Sequence, residues 1–512
     1  SARTIYVPDD YEKIQWAVNH ASAGDTIIVR DGTYYESITV SKQLTIKSEN
    51  GSDNCIVDGT GSTVFTLKAD GIRIEGFTII GGYNGIYIRS NNNTIINNNI
   101  SSNKWEGIDL YKSNNNSISN NNISNNYDGI DLGDSNNNSI SNNIISNNYV
   151  GIYLEDSNEN SISNNIIISN KYDGIDLWYS NENTIKDNEF MNDGLFVDYS
   201  YRNIVEDNKV NGKPLIYLED KSDKIIDNAG QVILVKCKNI TVMNTELTNT
   251  NVGIELWQSD NCLISNNNIS SNNWGIFLRY SNSNSISKNI ISSNNRYGIF
   301  LRCSNNNSIS NNNIISNNYD GIFLGGSNEN SISNNIIISN NDDGIYLEDS
   351  NNSSISNNII ISNNDDGIYL WHSNNNSISE NIISSNNLFG ILLHKSNKNS
   401  ISNNNISSNN WEGICLDDSN NNIIYMNNFI NNTYTYFYAS KNIWNTTEQI
   451  TYVYKGKTYK NYLGNYWSDY KGSDADEDGI GDTPYRYKDN YPLMERFENY
   501  FVLPTQYGVC VC

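Results

Sequence analysis

Gly344-Ile345-Tyr346-Leu347-Glu348-Asp349-Ser350-Asn351-Asn352-Ser353-Ser354-Ile355-Ser356-Asn357-Asn358-Ile359-Ile360-Ile361-Ser362-Asn363-Asn364-Asp365-Asp366 decides the fold, because the same phrase starts again at Gly367. Gly-Ile openings stand at 85, 107, 129, 151 and 174, then at 253, 275, 298, 321, 344, 367, 390 and 413. Within each series the spacing is 22 or 23 residues. A fixed period of this size marks a repeat array and outranks local propensity. Inside the quoted run, Gly344-Ile345-Tyr346-Leu347 and Ser354-Ile355-Ser356 alternate apolar and polar residues, with Asn and Ser pairs between them. Alternation of period two with turn-forming punctuation reads as strand, turn, strand. The expected fold is all-β, a single-stranded parallel β-helix of 22–23-residue coils. Ile and Leu would fill the bore, and Asn at equivalent corners would form ladders.

The totals narrow the function class. Of 512 residues only 18% are charged, and the net charge is −24. Without a basic stripe to displace counterions from phosphates, nucleic-acid binding is disfavoured. The balance suits an extracellular or cation-binding surface. No apolar run approaches twenty residues, so no membrane span is expected. The chain opens on Ser1, which fits a secreted form with its signal peptide removed. Asn-x-Ser/Thr sequons such as Asn99-Ile100-Ser101, Asn115-Asn116-Ser117 and Asn268-Ile269-Ser270 recur along the repeats. They are glycosylation acceptors if the chain is exported, although the repeat itself generates them. The seven Cys form no Cys-x-x-Cys motif, so haem or zinc is not indicated. Cys510 and Cys512, two apart on a strand, point the same way and suit an intermolecular disulfide.

Three regions follow. Residues 1–60 form an N-terminal cap and irregular first coils. Ile14, Val18 and Ala21 there define a short amphipathic helix with an Asp N-cap. Residues 61–425 carry the β-helix repeats, interrupted by an insertion at about 211–229. Such insertions map to loops on one face. Residues 426–512 form an aromatic-rich C-terminal cap. The segments Thr4-Ile5-Tyr6-Val7-Pro8-Asp9-Asp10-Tyr11 and Ala23-Gly24-Asp25-Thr26-Ile27 open a resemblance to the NosD-type, pectate-lyase-like right-handed β-helix family of archaeal exported proteins. Asn211-Gly212-Lys213-Pro214-Leu215 and Gly464-Asn465-Tyr466-Trp467-Ser468-Asp469-Tyr470 extend it over almost the whole chain. The resemblance implies a right-handed coil and export. The family's roles are too varied to imply an activity.

Two constellations could carry chemistry. Asp474, Asp476, Asp478 and Asp482, with Gly479 and the Ile480 carbonyl, have the spacing of a calcium loop. Tyr485 stands where a bidentate Glu would, so Asp489 or Glu495 would complete the set; structural calcium is the expected cofactor. The second is the outward column of the Gly-Ile-x-Leu strands. Asp109, Asp131 and Asp176 are weak catalytic candidates there. Trp178, Trp257, Phe277, Phe300, Phe323, Tyr346, Tyr369 and Trp371 form an aromatic face for carbohydrate or self-association. Copper, the other suggestion of the family, would have to use three scattered His and four scattered Met.

The reading that gathers most of these features is an exported cell-surface structural protein. It would be a rigid β-helix subunit of a sheath, surface layer or filament, with neighbouring copies as partners and no nucleic acid. One alternative is a carbohydrate-binding or polysaccharide-cleaving β-helix, a lyase or glycoside hydrolase. The other is a periplasmic NosD-like metallocentre-assembly factor.

Overall fold

The structure, a computed structural model, describes residues 2–433 and 440–503. Cys510 and Cys512 lie outside the described residues. The chain divides into two units. Unit one comprises Ser1–Lys221, Asn228–Lys236 and Glu246–Trp257; unit two comprises Ser222–Asp227, Cys237–Thr245 and Gln258–Cys512.

Unit one is a stack of coils whose strands pair in parallel with the next coil. One wall is a ten-stranded sheet from Thr4–Val7 to Ile204–Glu206, and another an eight-stranded sheet from Ile38–Val40 to Leu195–Asp198. The register keeps like over like: Ile86 pairs with Ile108, and Ile108 with Ile130. Most strands are only three to six residues long. In each Ser-Ile-Ser strand the central Ile is buried and the flanking Ser face outward. Burying each such Ile contributes about 2 kcal/mol.

The abundance of Asn has two separate causes at each corner. In Asn115-Asn116, Asn120-Asn121 and Asn125-Asn126 the first residue has φ of 57°, 56° and 57°. Asn tolerates that left-handed region better than most residues. The second Asn points inward. Asn116 Nδ2 donates to Asn138 Oδ1 at 2.9 Å, and Asn138 Nδ2 donates to the Ser113 carbonyl at 3.0 Å. A buried amide with both ends satisfied in this way is stabilising rather than costly.

The glycine of each Gly-Ile opening answers to a different constraint. A Cβ on Gly107 would lie 2.6 Å from the Gly129 carbonyl oxygen and 2.9 Å from Asn126 Nδ2. Its φ is not positive; the next coil simply leaves no room.

Two expectations change. The helix α1 spans Ile14–His20 with Lys13 at its N-cap, and no cap side chain bonds to it. Instead the Glu36 carboxylate accepts from Ile14 N at 2.9 Å and Gln15 N at 3.0 Å. A carboxylate across the coil thus replaces the Asp expected within the segment, and its charge complements the helix end. The insertion at 211–229 is also not a free loop. Asn211 and Gly212, with φ of 50° and 81°, turn the chain into an antiparallel pairing of Lys209–Val210 with Lys213–Glu219. Two successive positive φ values are what a tight hairpin requires, and Asn-Gly supplies them. Lys213–Glu219 then pairs in parallel with Gln231–Val235.

Unit two repeats the same construction. A ten-stranded parallel sheet runs from Ile225–Ile226 to Ile423–Tyr425. Asn335 Nδ2 donates to Asn358 Oδ1, and Asn358 Nδ2 to Asn381 Oδ1, each at 3.0 Å. The C-terminal cap is an antiparallel sheet of Ile450–Tyr454, Lys457–Asn461 and Phe501–Val502. Its core gathers Met426, Tyr452, Tyr454, Leu463, Ile480, Leu493 and Tyr500. Trp467 stacks on Phe429 at 4.3 Å and on Tyr485 at 4.4 Å, so the cap continues the last coil with aromatic surface.

Candidate functional site

The main break in the monotony of unit one is a strip of carboxylates on the eight-stranded wall. Asp109 and Asp131 are register partners in adjacent coils, and Tyr153 and Asp176 follow in the same column. Beside them, one residue before each glycine, stand Glu106, Asp128 and Asp173. Carboxylate oxygens of Glu106, Asp128 and Asp131 lie within 4.8 Å of one another. Asn84 Nδ2 donates to Asp109 at 2.8 Å, and Val150 N to Asp128 at 3.3 Å. Those two bonds do not offset the loss of water. Burial pushes Asp109 and Asp128 up to about 7, with the Glu106 carboxylate adding to each. Burial and then the Asp109 charge push Asp131 up to about 8.

The strip ends where the eight-stranded sheet ends, and side chains there imitate a further coil. Leu195 N donates to Gln231 Oε1 at 3.0 Å, and Gln231 Nε2 donates back to the Leu195 carbonyl at 2.6 Å. Val197 N donates to the Glu255 carboxylate at 3.3 Å, and Asn251 Nδ2 donates to Asp173 at 2.7 Å. Glu255 and Asp176 are both held well above the usual carboxylate range, by burial first and neighbouring Asp charges second.

Aromatic rings flank the acids. Trp105, Tyr127, Tyr149 and Tyr172 occupy equivalent corners, with ring centroids 5.6, 4.9 and 5.3 Å apart in succession; the two Tyr–Tyr pairs are stacked. Trp105 and Tyr127 are exposed. This corner ladder, Glu106, Asp128 and Asp173 were missed by the sequence reading. Their signal was present: an aromatic–acid pair precedes the repeat glycine in Trp105-Glu106-Gly107 and Tyr127-Asp128-Gly129.

The expected aromatic face fares differently along its length. Trp178 is exposed and lies edge-on to Tyr179 at 5.1 Å. Trp257 is buried against Tyr199 at 4.7 Å. Phe277, Phe300 and Phe323 stack at 5.0 and 4.9 Å but are also buried, so they offer no open face. The corner residues Trp274 and Tyr297 fold over them, at 5.3 Å from Phe277 and 5.1 Å from Phe300. Tyr346 and Tyr369 stack at 4.7 Å and stay half-buried, as does Trp371. A second acid column runs beside this part of the wall. Asp343 N donates to Asp320 at 2.9 Å, Asp366 N to Asp343 at 2.8 Å, and Phe389 N to Asp366 at 2.9 Å.

At the expected calcium loop, carboxylate oxygens of Asp474, Asp476 and Asp478 lie within 4.8 Å of one another. Asp474 accepts from Asp478 N and Gly479 N at 3.1 and 2.9 Å, which closes the loop. Asp482 instead accepts from Ser473 Oγ and Ala475 N, and Ile480 N donates to Asp478. Asp489 is not a ligand in reserve. It is fully buried and accepts from Asn465 N at 2.7 Å, Trp467 Nε1 at 2.9 Å and Tyr491 N at 3.0 Å. Glu495 pairs with Lys455 at 2.9 Å.

The three His side chains each have a partner of their own. His20 stacks on Tyr11, His372 faces Asp349 at 3.7 Å, and His394 bonds to Asp417 at 2.7 Å. The His372 and His394 rings lie parallel at 6.5 Å. Among the described residues, both clusters of three or more metal-binding side chains are all-carboxylate, a donor set suited to hard cations.

Known proteins share parts of this construction. A stretch of 95 residues is 43% identical to a "Cell surface glycoprotein" of Methanothermus fervidus, covering 18% of this chain and 16% of that relative. Among solved structures, a periplasmic alginate epimerase AlgG is similar at 14% identity and TM-score 0.35, covering 86% of this chain and 84% of that one. An alginate lyase from Paenibacillus sp. is similar at 16% identity and TM-score 0.33, over 55% of this chain and 99% of that one. The sequence model of the family described as "Periplasmic copper-binding protein (NosD)" matches residues 18–193, 167–230, 215–346 and 313–472. With those matches running through nearly every coil, this chain belongs to the NosD family of parallel β-helix proteins.

Proposed function

We propose that the chain is an exported cell-surface protein whose role is architectural, a stiff β-helical subunit that packs against neighbouring copies in a sheath, surface layer or filament. The observation that carries this reading is the set of internal ladders that recurs from coil to coil in each unit. In unit two, Ser327 N donates to Ser350 Oγ at 2.9 Å and Ser350 N to Ser373 Oγ at 3.0 Å, parallel to the Asn ladders. Such stacking fixes each coil to the next and leaves little to move, which suits load and display rather than turnover. The stretch shared with a cell surface glycoprotein supports export. Calcium at Asp474, Asp476 and Asp478 belongs to the same reading, as a clip on the cap. The test is fractionation of the source cells followed by negative-stain microscopy of the native, unreduced protein. Ordered polymers at the envelope support the proposal; dispersed monomers, or recovery from the cytosol, refute it.

The strip of unit one favours a second reading, carbohydrate binding, because exposed aromatic rings beside carboxyl groups suit sugar rings. It favours binding over cleavage. Asp109 and Asp131 hold equivalent register positions, and Tyr153 and Asp176 continue the same column, so neither has the distinct setting that separates an acid from a nucleophile. Retention on immobilised neutral or acidic polysaccharides, abolished by W105A/Y127A, is the outcome expected of this reading.

A further inference from the structure

Two geometrically different kinds of sequon recur in the repeats, and they differ in how the backbone around the Asn is held. In the first kind the Asn sits at a corner, in the left-handed region, one residue before the buried ladder position. Asn92, Asn115 and Asn137 in unit one have φ of 58°, 57° and 56°. Asn306, Asn352 and Asn375 in unit two have φ of 57°, 56° and 56°. All six are exposed, and the residue that follows each is buried. The chain therefore turns outward at the acceptor amide and is pinned immediately behind it. Asn116 N, for example, donates to Asn138 Oδ1 at 2.9 Å.

In the second kind the whole sequon is a sheet strand: Asn99–Ser101, Asn122–Ser124, Asn268–Ser270 and Asn405–Ser407. Asn122 and Asn268 are exposed as the corner residues are, but here the Asn is flanked by register partners. Asn122 pairs with Asn99 on one side and Ile144 on the other. Neighbouring strands lie about 4.8 Å away, so an enzyme cannot grip this segment without unpairing the sheet.

We infer that this protein is N-glycosylated at the corner asparagines, and that the strand sequons are by-products of the repeat. This rests on the proposal of export. The modification forms a bond between Asn Nδ2 and the anomeric carbon of a lipid-phosphate-linked oligosaccharide. The bond from that carbon to the phosphate oxygen breaks, the lipid phosphate leaves, and the amide proton passes to a base of the transferring enzyme. Asn92, Asn115 and Asn137 occupy three successive coils, so their glycans would stand side by side about 5 Å apart. They would keep that edge of unit one hydrated and direct packing between copies to other faces.

The test is glycopeptide mass mapping of the native protein from its source, with variants produced in the same cells. S117A, S139A, S308A and S377A remove the acceptor hydroxyl while leaving the corner Asn in place. Each should lose the mass of one glycan, and S117T should regain it. S101A, S124A, S270A and S407A should leave the glycan mass unchanged. Glycan on the strand asparagines, or unmodified corner peptides, would overturn the inference. Unmodified corners on a protein recovered at the envelope would leave the proposed function standing; recovery from the cytosol would remove the proposed function as well.

Discussion

At the residue scale, stability is concentrated in positions that cannot change size or polarity. The glycine of the deciding phrase is one. A Cβ on Gly344 would meet the Gly367 carbonyl and Ile360 Cγ2, each at 2.6 Å, with Asn363 Nδ2 at 2.9 Å. None of these is the free end of a flexible side chain, so two coils must move apart. Gly344→Ala should cost about 1–3 kcal/mol, read as a shift in denaturant midpoint. The ladder amides are the second such class. Asn358→Ala removes the acceptor of Asn335 N and Nδ2 and the donor to the Ile332 carbonyl. The buried groups left unpaired should cost about 1–3 kcal/mol in the same denaturant titration.

At the element scale, α1 and the C-terminal cap are each braced by a carboxylate in a way a local pattern does not announce. Glu36 caps α1 from another coil, so Glu36→Ala should destabilise the N-terminal coils by about 1 kcal/mol. Hydrogen exchange at Ile14 and Gln15 would report it directly. At the other end, Asp489 holds Asn465, Trp467 and Tyr491 together, and burial sets its pKa at about 6 despite those bonds. The calcium clip is tested on the same cap. Calcium at a hundred times its dissociation constant would stabilise the cap by about 2.7 kcal/mol. A calcium-dependent rise in the cap's melting temperature, absent in D476N, is the expected result; no calcium effect on the native cap would refute the clip.

At the scale of the whole molecule, an excess of buried acids makes stability depend on pH. Asp109, Asp128 and Asp131 in unit one, and Asp320, Asp343 and Asp366 in unit two, all sit above the ordinary Asp value, chiefly because they are buried. The second group faces the Asp342 and Asp365 carboxylates and the Tyr297, Tyr346 and Tyr369 rings. A carboxyl whose folded pKa exceeds its unfolded value of about 3.9 stabilises the fold fully below that value. Its contribution is lost as pH rises through the folded pKa, here about 7 to about 8. The melting temperature should therefore fall from about pH 5 to about pH 8, by roughly 1 °C for each kcal/mol lost. Asp343→Asn should flatten that slope. Asp25, held low by its bonds to Arg3 and Ser22, acts in the opposite sense, but only below the ordinary Asp range. A melting temperature that rises across the interval would contradict the assignment.

The sequence by itself determined the coil. A 22–23-residue period, two-residue alternation and Asn pairs at corners left one way to bury Ile and Leu while pairing the backbone, and the strands at Ile345–Glu348 and Ser354–Ser356 follow that pattern. Part of the candidate strip was also legible, since Asp109, Asp131 and Asp176 recur at one repeat position. What only the tertiary structure decided was which outward positions are open. Phe277 and Tyr346 occupy the same column, yet the first is buried beneath Trp274 and the second is half-exposed. The Glu36 cap, the Gln231 and Glu255 imitation of a coil, and the Asn211-Gly212 hairpin likewise join residues distant in sequence or reverse the strand. Periodicity fixes what each coil does with itself. Covering and capping depend on side chains that reach from one coil to another, and no spacing within a repeat records them.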